Sequence, residues 1–230
     1  MNRSLFLTAS LVLLPLCGCT AIRKPLEPVH NPVDALQEVM LIPVGAENAD
    51  SSQQWTRQLQ QALLKVEGIQ RVQSLPPSAA DNPTALLRSA NRCLLEVNVL
   101  DFDAYYPPYA VVEVNFYVPP QAHSAAWDPL QMERMGRAKG SVQQSDRGPW
   151  LRFQKRYGAD DMKVMQALTR YAMSSGDDSR GLDPVDRVIQ ISDRFVDFVF
   201  YETLKECFSR LDRKEEESNG FLGELLNGGS

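Results

Sequence analysis

Two stretches of strict alternation, joined by a proline-bearing turn, constrain this chain more than anything else in it. Cys93, Leu95, Val97 and Val99 recur at every second position, with Glu96 and Asn98 between them. The same period returns in Ala110, Val112, Val114, Phe116 and Val118, with Glu113, Asn115 and Tyr117 between. Successive side chains of a strand point to opposite faces, so each stretch reads as a strand with one dry and one wet face. The connection Tyr105-Tyr106-Pro107-Pro108-Tyr109 folds the two into an antiparallel hairpin. Centring the turn between the prolines sets Val97 opposite Val118 and Val99 opposite Phe116, with both apolar sets on one side. Leu100 and Phe102 then fall where polar residues belong, and a β-bulge near Leu100 or Asp101 accounts for the change of phase.

The remaining periodicity supplies a sheet and its cover. Val39 to Val44 is a continuous apolar run, which suits a strand buried on both faces; Pro43 removes a donor and places it near an edge or ends its pairing. Ser51-x-x-Gln54 predicts a capping box, and Trp55, Leu59, Ala62, Leu63 and Val66 then share one helical face that Gly68 closes. Ile69 to Leu75 reads as a short strand, Asn82-Pro83 as the start of a short helix, and Arg134 to Gln144 as an exposed strand. Asp160 to Met173 carries Met162, Met165, Leu168 and Ala172 at helical spacing. Asp183-Pro184 opens the longest helix, whose stripe of Val188, Phe195, Val199 and Cys207 is widened by Phe198, Phe200 and Phe208. Such width means burial on two sides, or one side meeting another protein. Arg213 to Ser230 is charged, then glycine-rich, and reads as a disordered tail. The expectation is an α/β domain of the α+β kind over residues 38–212: a small mixed sheet with a long antiparallel hairpin, covered by two to four helices.

The amino terminus has a different character. A short positive start ending at Arg3 precedes an apolar run from Leu5 to Leu16, too short for a bilayer, which needs roughly 20 residues, and matching a signal-peptide core. It ends in Leu16-Cys17-Gly18-Cys19, which resembles the lipobox of bacterial lipoproteins. That resemblance implies removal of residues 1–18 and lipid on Cys19, with Thr20 rather than Asp directing the protein to the outer membrane, facing the periplasm. Several acyl chains on one residue would hold it firmly, since a single chain binds only marginally. Residues 19–37, with Pro25, Pro28 and Pro32, read as an extended tether, and lipid would be the membrane element.

Composition narrows the function classes. The net charge is −5, and −6 without residues 1–18, with no basic block, which argues against nucleic acid as a partner. After Cys17 and Cys19, Cys93 and Cys207 remain; an oxidising compartment permits a disulfide between them, and two buried thiols are the other reading. The two histidines, His30 and His123, have no ligand-type neighbour at helical spacing, so no metal is expected. No phosphate-cradling glycine loop or nucleophile elbow is present, and no cofactor is implied. Asp101 and Asp103 share a strand face, where acids are more often solvated or paired than catalytic. Tyr105, Tyr106 and Tyr109 cluster at one turn, and Trp127 and Trp150 follow on loops. Such aromatics anchor a protein contact or stack on sugar rings; equally, they cover the open end of their own core.

The segment from Val39 to Val44, with its Ile-Pro-Val ending, and the order of elements behind it resemble the α/β domain of the TolB amino-terminal and curli-secretion lipoprotein type, from about Glu38 to Val118 plus the last helix. The Asp101-Phe102-Asp103-Ala104-Tyr105-Tyr106-Pro107-Pro108 segment is similar to a strand and turn of uncharacterised planctomycete-type lipoproteins. The resemblance implies envelope-assembly or partner-binding roles and no catalytic residues. Three function classes follow. The first is a membrane-anchored, non-enzymatic lipoprotein that binds an envelope protein. The second is a glycan- or peptidoglycan-binding lipoprotein using Tyr105, Tyr106, Tyr109 and Trp127. The third is a hydrolase centred on His123.

Overall fold

The computed structural model describes residues 25–33, 36–78, 92–118, 149–175 and 183–227, with side chains as far as Arg213. The expected helix after Asn82, the expected strand from Arg134, and Cys19, His123 and Trp127 lie outside the described residues. Five strands form one mixed sheet: β1 (Glu38–Leu41), β2 (Arg71–Ser74), β3 (Arg92–Asp103), β4 (Tyr109–Tyr117) and β5 (Leu151–Gly158), in the order β2-β1-β3-β4-β5. β1 is parallel to both β2 and β3, and β3, β4 and β5 run antiparallel to one another. Four helices complete the described chain: α1 (Ala49–Leu63), α2 (Met162–Ser174), α3 (Pro184–Gln190) and α4 (Ser192–Asn227). The architecture is the expected α/β one.

The hairpin forms, with a register other than the one read from the prolines. Val97 pairs with Val114, Val99 with Val112 and Leu95 with Phe116, so β4 is displaced by four residues. The turn is centred on Tyr106, between Asp103 and its partner Tyr109, and the Tyr106–Pro107 peptide is cis. A four-residue displacement is even, so every side chain keeps its face. The bulge falls between Val99 and Asp101, as the phase change requires. It turns Phe102 toward the helices, where its ring meets Trp55 edge-on at 5.2 Å, and leaves Leu100 exposed.

β1 ends at Leu41, before Pro43, although Ile42 and Gly45 still donate to the Leu95 and Val97 carbonyls of β3. The chain then enters α1 through hydroxyl contacts. Thr56 Oγ1 accepts from Val44 N at 2.8 Å, and Ser52 Oγ donates to the Val44 carbonyl at 2.6 Å. The cap of α1 is Asn48, whose Oδ1 accepts from Ser51 N at 2.8 Å, so the predicted Ser51 capping box is not used. Asn is as good a cap as Ser and stands one turn earlier.

β5 was not expected from the sequence. Leu151, Phe153 and Tyr157 alternate inward along β4, while Arg152, Gln154 and Arg156 point outward. The single long helix expected after Asp183 is two. Asp183 caps α3, which stops at extended Ile191, and the Ile191 carbonyl then accepts from Arg194 and Phe195 to start α4. The break lets Val188 and Ile189 pack on one side while Phe195, Phe198 and Phe200 become fully buried. α4 runs on to Asn227, through the segment expected to be disordered; the Lys, Glu and Leu residues there are good helix formers.

All four helices give their buried residues to one core with the inward face of β3, β4 and β5. A smaller cluster of Met40, Ile42 and Leu94 occupies the other face. The amino-terminal segment also departs from expectation. Val29, Asn31, Val33 and Leu36 are buried, so the second half of the proposed tether is part of the body. Asn31 N donates to the Glu67 carbonyl, and Glu67 N to that of Val29. Gly68, at φ 91°, makes the tight turn beside Asn31 that this pairing needs.

Candidate interaction site at the hairpin tip

The docked amino-terminal segment, Val29 to Leu36, and the hairpin tip lie at opposite ends of the sheet. Glu38, just after the docked segment, pairs with Arg92 at the start of β3, and Asp103 at its other end enters the tip. Twelve strand residues separate these ends by about 36 Å at ~3.3 Å per residue.

At the tip Tyr105 and Tyr106 are 84% and 82% exposed. They therefore do not close the domain's own core. The turn beneath them is held by side chains. Asp103 Oδ1 accepts from Tyr105 N at 2.8 Å, an Asx-type contact that fixes the entry to the turn. The Tyr109 hydroxyl donates to Asp101 at 3.0 Å, and Arg156 lies over its ring at 4.9 Å. Arg156 is in turn paired with Asp160 at 2.8 and 3.1 Å. The hydrogen bond to Asp101 raises the Tyr109 pKa. Asp101 and Asp103 are thus tied to their own loop. Tyr109 is a support, and Tyr105 and Tyr106 are what the support presents.

A second loop stands beside the first. Ala159 N donates to the Pro108 carbonyl at 2.9 Å, which brings the β5–α2 turn against the hairpin. Asp161 caps α2 by accepting from Lys163 N and Val164 N, and Met162 follows it at 76% exposure. Two aromatic rings and a thioether are thus exposed on two turns joined by a hydrogen bond at this end of the domain.

The other candidates are dispersed. Cys93 and Cys207 are both free thiols, fully buried in the core, and are not bridged in this structure. His30 lies 3.7 Å from Glu67 on the surface of the docked segment. Among the described residues no group of three or more His, Cys, Asp or Glu is placed to hold a metal, and no helix is long and apolar enough to cross a membrane. One concave feature escaped the sequence reading: a cavity bordered by Gln58, Tyr171, Asp197 and Tyr201. Its signal was an acid, Asp197, set inside the apolar run of α4 between Val196 and Phe198.

No family model matches the chain, and no curated protein does. Among solved structures the chain is similar to the PelC dodecamer from Paraburkholderia phytofirmans, at 14% identity and a TM-score of 0.27, over 36% of this chain and 61% of that one. A point variant of the same dodecamer gives 12% identity and a TM-score of 0.27, over 40% and 65%. The chain spans under two thirds of either neighbour's length.

Proposed function

We propose that this chain is a membrane-anchored, non-enzymatic lipoprotein of the outer membrane, facing the periplasm, that binds an envelope protein in assembly or maintenance. Cys19 carries the lipid, and the hairpin tip carries the contact. The observation behind this reading is the exposure of Tyr105 and Tyr106 on a turn braced by Asp101, Asp103 and Arg156. Rigid aromatics lose little side-chain freedom on binding, and such residues dominate protein interfaces. Lipid at one end of the sheet and the contact at the other leave the tip facing away from the bilayer.

The anchor and the contact are tested separately. Labelled palmitate is expected on the wild-type chain and not on Cys19→Ser; an unlabelled wild type overturns the anchor. A photo-crosslinking residue replaces Tyr106, or Gln70 at the far end, in the native envelope. The contact predicts one adduct of fixed mass from position 106, none from position 70, and its loss with Tyr105→Ala. No adduct at 106, or the same adducts from both positions, overturns it. Retention on cell-wall polymer that Tyr106→Ala abolishes would replace the protein partner by a glycan.

A further inference from the structure

A cavity of about 330 Å³ opens where the docked segment crosses α1, α2 and α4. Gln58 and Gln61 enter it from α1, Lys65 from the turn that follows α1, Tyr171 from α2, and Asp197 and Tyr201 from α4. The two tyrosine rings stand 5.5 Å apart, tilted by 43°. One wall is the chain around Glu27, latched in place: the Tyr201 hydroxyl donates to the Glu27 carbonyl at 2.9 Å, and Lys205 pairs with its carboxylate.

Hydrogen-bonding capacity is left over around this space. Gln58 Nε2 donates to the Asp193 carbonyl at 3.1 Å, which orients the amide, and its Oε1 is buried without a partner. Gln61 and Lys65 reach the cavity from its exposed side, and Asp197 meets the Gln58 amide. Burial is the largest influence on the Asp197 carboxyl and pushes its pKa up, with Lys65 and Arg194 opposing it. Buried polar groups are normally satisfied, and a cleft holding one that is not, the Gln58 Oε1, is a candidate for a ligand that satisfies it.

The kind of ligand follows from the mixture. The acids Glu27 and Asp197 and the amine of Lys65 together oppose any simple ion, which meets a like charge beside an opposite one. Donors (Lys65, Gln61, the Tyr171 hydroxyl) interleave with acceptors (Asp197, Gln61), and two aromatic rings flank them. A pyranose has matching features: hydroxyls that donate and accept together, and a C–H face that packs on a ring. The volume is at the low end of small-molecule sites, ~300–1,000 Å³, so the guest is small. We propose that this cavity binds a short neutral saccharide, packed against the Tyr171–Tyr201 pair and hydrogen-bonded by Gln58, Gln61, Lys65 and Asp197. The site is independent of the hairpin tip and of what the tip contacts.

The test uses the full chain in detergent, isotope-labelled, titrated with methyl glycosides of glucose, galactose, mannose and N-acetylglucosamine and their β1,4-linked dimers. Saturable amide shifts centred on Gln61, Lys65 and Tyr171 are expected with at least one of them. Lys65→Met and Tyr171→Phe should each weaken binding by about three- to tenfold, the effect of one hydrogen bond. Tyr106→Ala should bind as the wild type does. Three results overturn the proposal: no saturable shift with any saccharide up to about 50 mM, equal shifts from glycine or phosphate at that concentration, or unaltered affinity in both cavity variants.

Discussion

Replacing Asn31 with alanine tests whether the docked segment is an integral part of the domain. Asn31 is 2% exposed. Its Nδ2 donates to the Val33 carbonyl at 3.1 Å and to the Leu36 carbonyl at 2.6 Å, and its Oδ1 accepts from Val33 N at 3.2 Å. Alanine removes all three partners and leaves the backbone groups in a place water reaches poorly. Each such bond contributes ~0.5–1.5 kcal/mol net, and a buried group left unpaired costs ~1–3 kcal/mol. Some relaxation is certain in a segment this close to the surface, so the expected loss is about 2–4 kcal/mol. In a domain of this size that lowers Tm by about 5–12 °C. Urea unfolding followed by the fluorescence of Trp55 and Trp150 measures the loss. A Glu-specific protease reports the accompanying event, because the released segment should be cut faster at Glu27. A loss below about 0.5 kcal/mol, with unchanged cleavage, would refute the reasoning.

Other parts of the molecule give equally definite expectations. Phe198 is fully buried, edge-on to Tyr171 at 5.6 Å and against Phe195 at 6.0 Å, so Phe198→Ala should cost about 3–5 kcal/mol in the same urea assay; a value under about 1 kcal/mol would mean the helices do not meet there. Burial raises the Asp197 pKa above its ordinary 3.8, so the folded state holds the proton where the unfolded state has lost it. Stability contributed by the protonated acid is then present below pH 3.8 and lost as the pH rises through the folded value. Asp197→Asn should therefore gain stability over the wild type at neutral pH and lose that advantage in acid, as a pair of pH-dependent melting curves would show. Burial pushes the Cys207 thiol up to about 12 and the Cys93 thiol higher still. Neither should react with iodoacetamide at pH 8 until urea unfolds the chain; native labelling at the rate of a free thiol would contradict the burial.

What could be read from the residues alone was whatever repeats with a fixed period. The two faces of β3 and β4 were visible because six or more alternations agree, and the bulge at Leu100 because the phase changes there. The register was not, since a turn containing two prolines has more than one centre, and any even displacement preserves the faces. β5 was missed because Lys155 interrupts the apolar set of Leu151, Phe153 and Tyr157. Its aliphatic stem can lie along the core edge while its charge reaches Glu206 at 3.1 Å. The break at Ile191 was hidden because the residue is as apolar as its neighbours. The tyrosines of the tip were legible as a cluster, but their exposure depended on Phe102, not on themselves, filling the space against Trp55. Of the cavity only Asp197 stood out, between Val196 and Phe198; the other groups come from three helices, the turn after α1 and the amino-terminal segment, far apart in the chain.

The burial of residues from Val29 onward shortens the leash. With Glu27 also fastened to α4, the stretch from Cys19 to Pro25 is what separates the proposed acyl chains from the folded mass. Seven residues reach at most about 25 Å even when fully drawn out. A protein moored as proposed would not search the periplasm: it would sweep a thin layer over its own membrane. On that proposal a receptor would have to come down to that height, and the length of β3 would set how far above the lipid the meeting takes place.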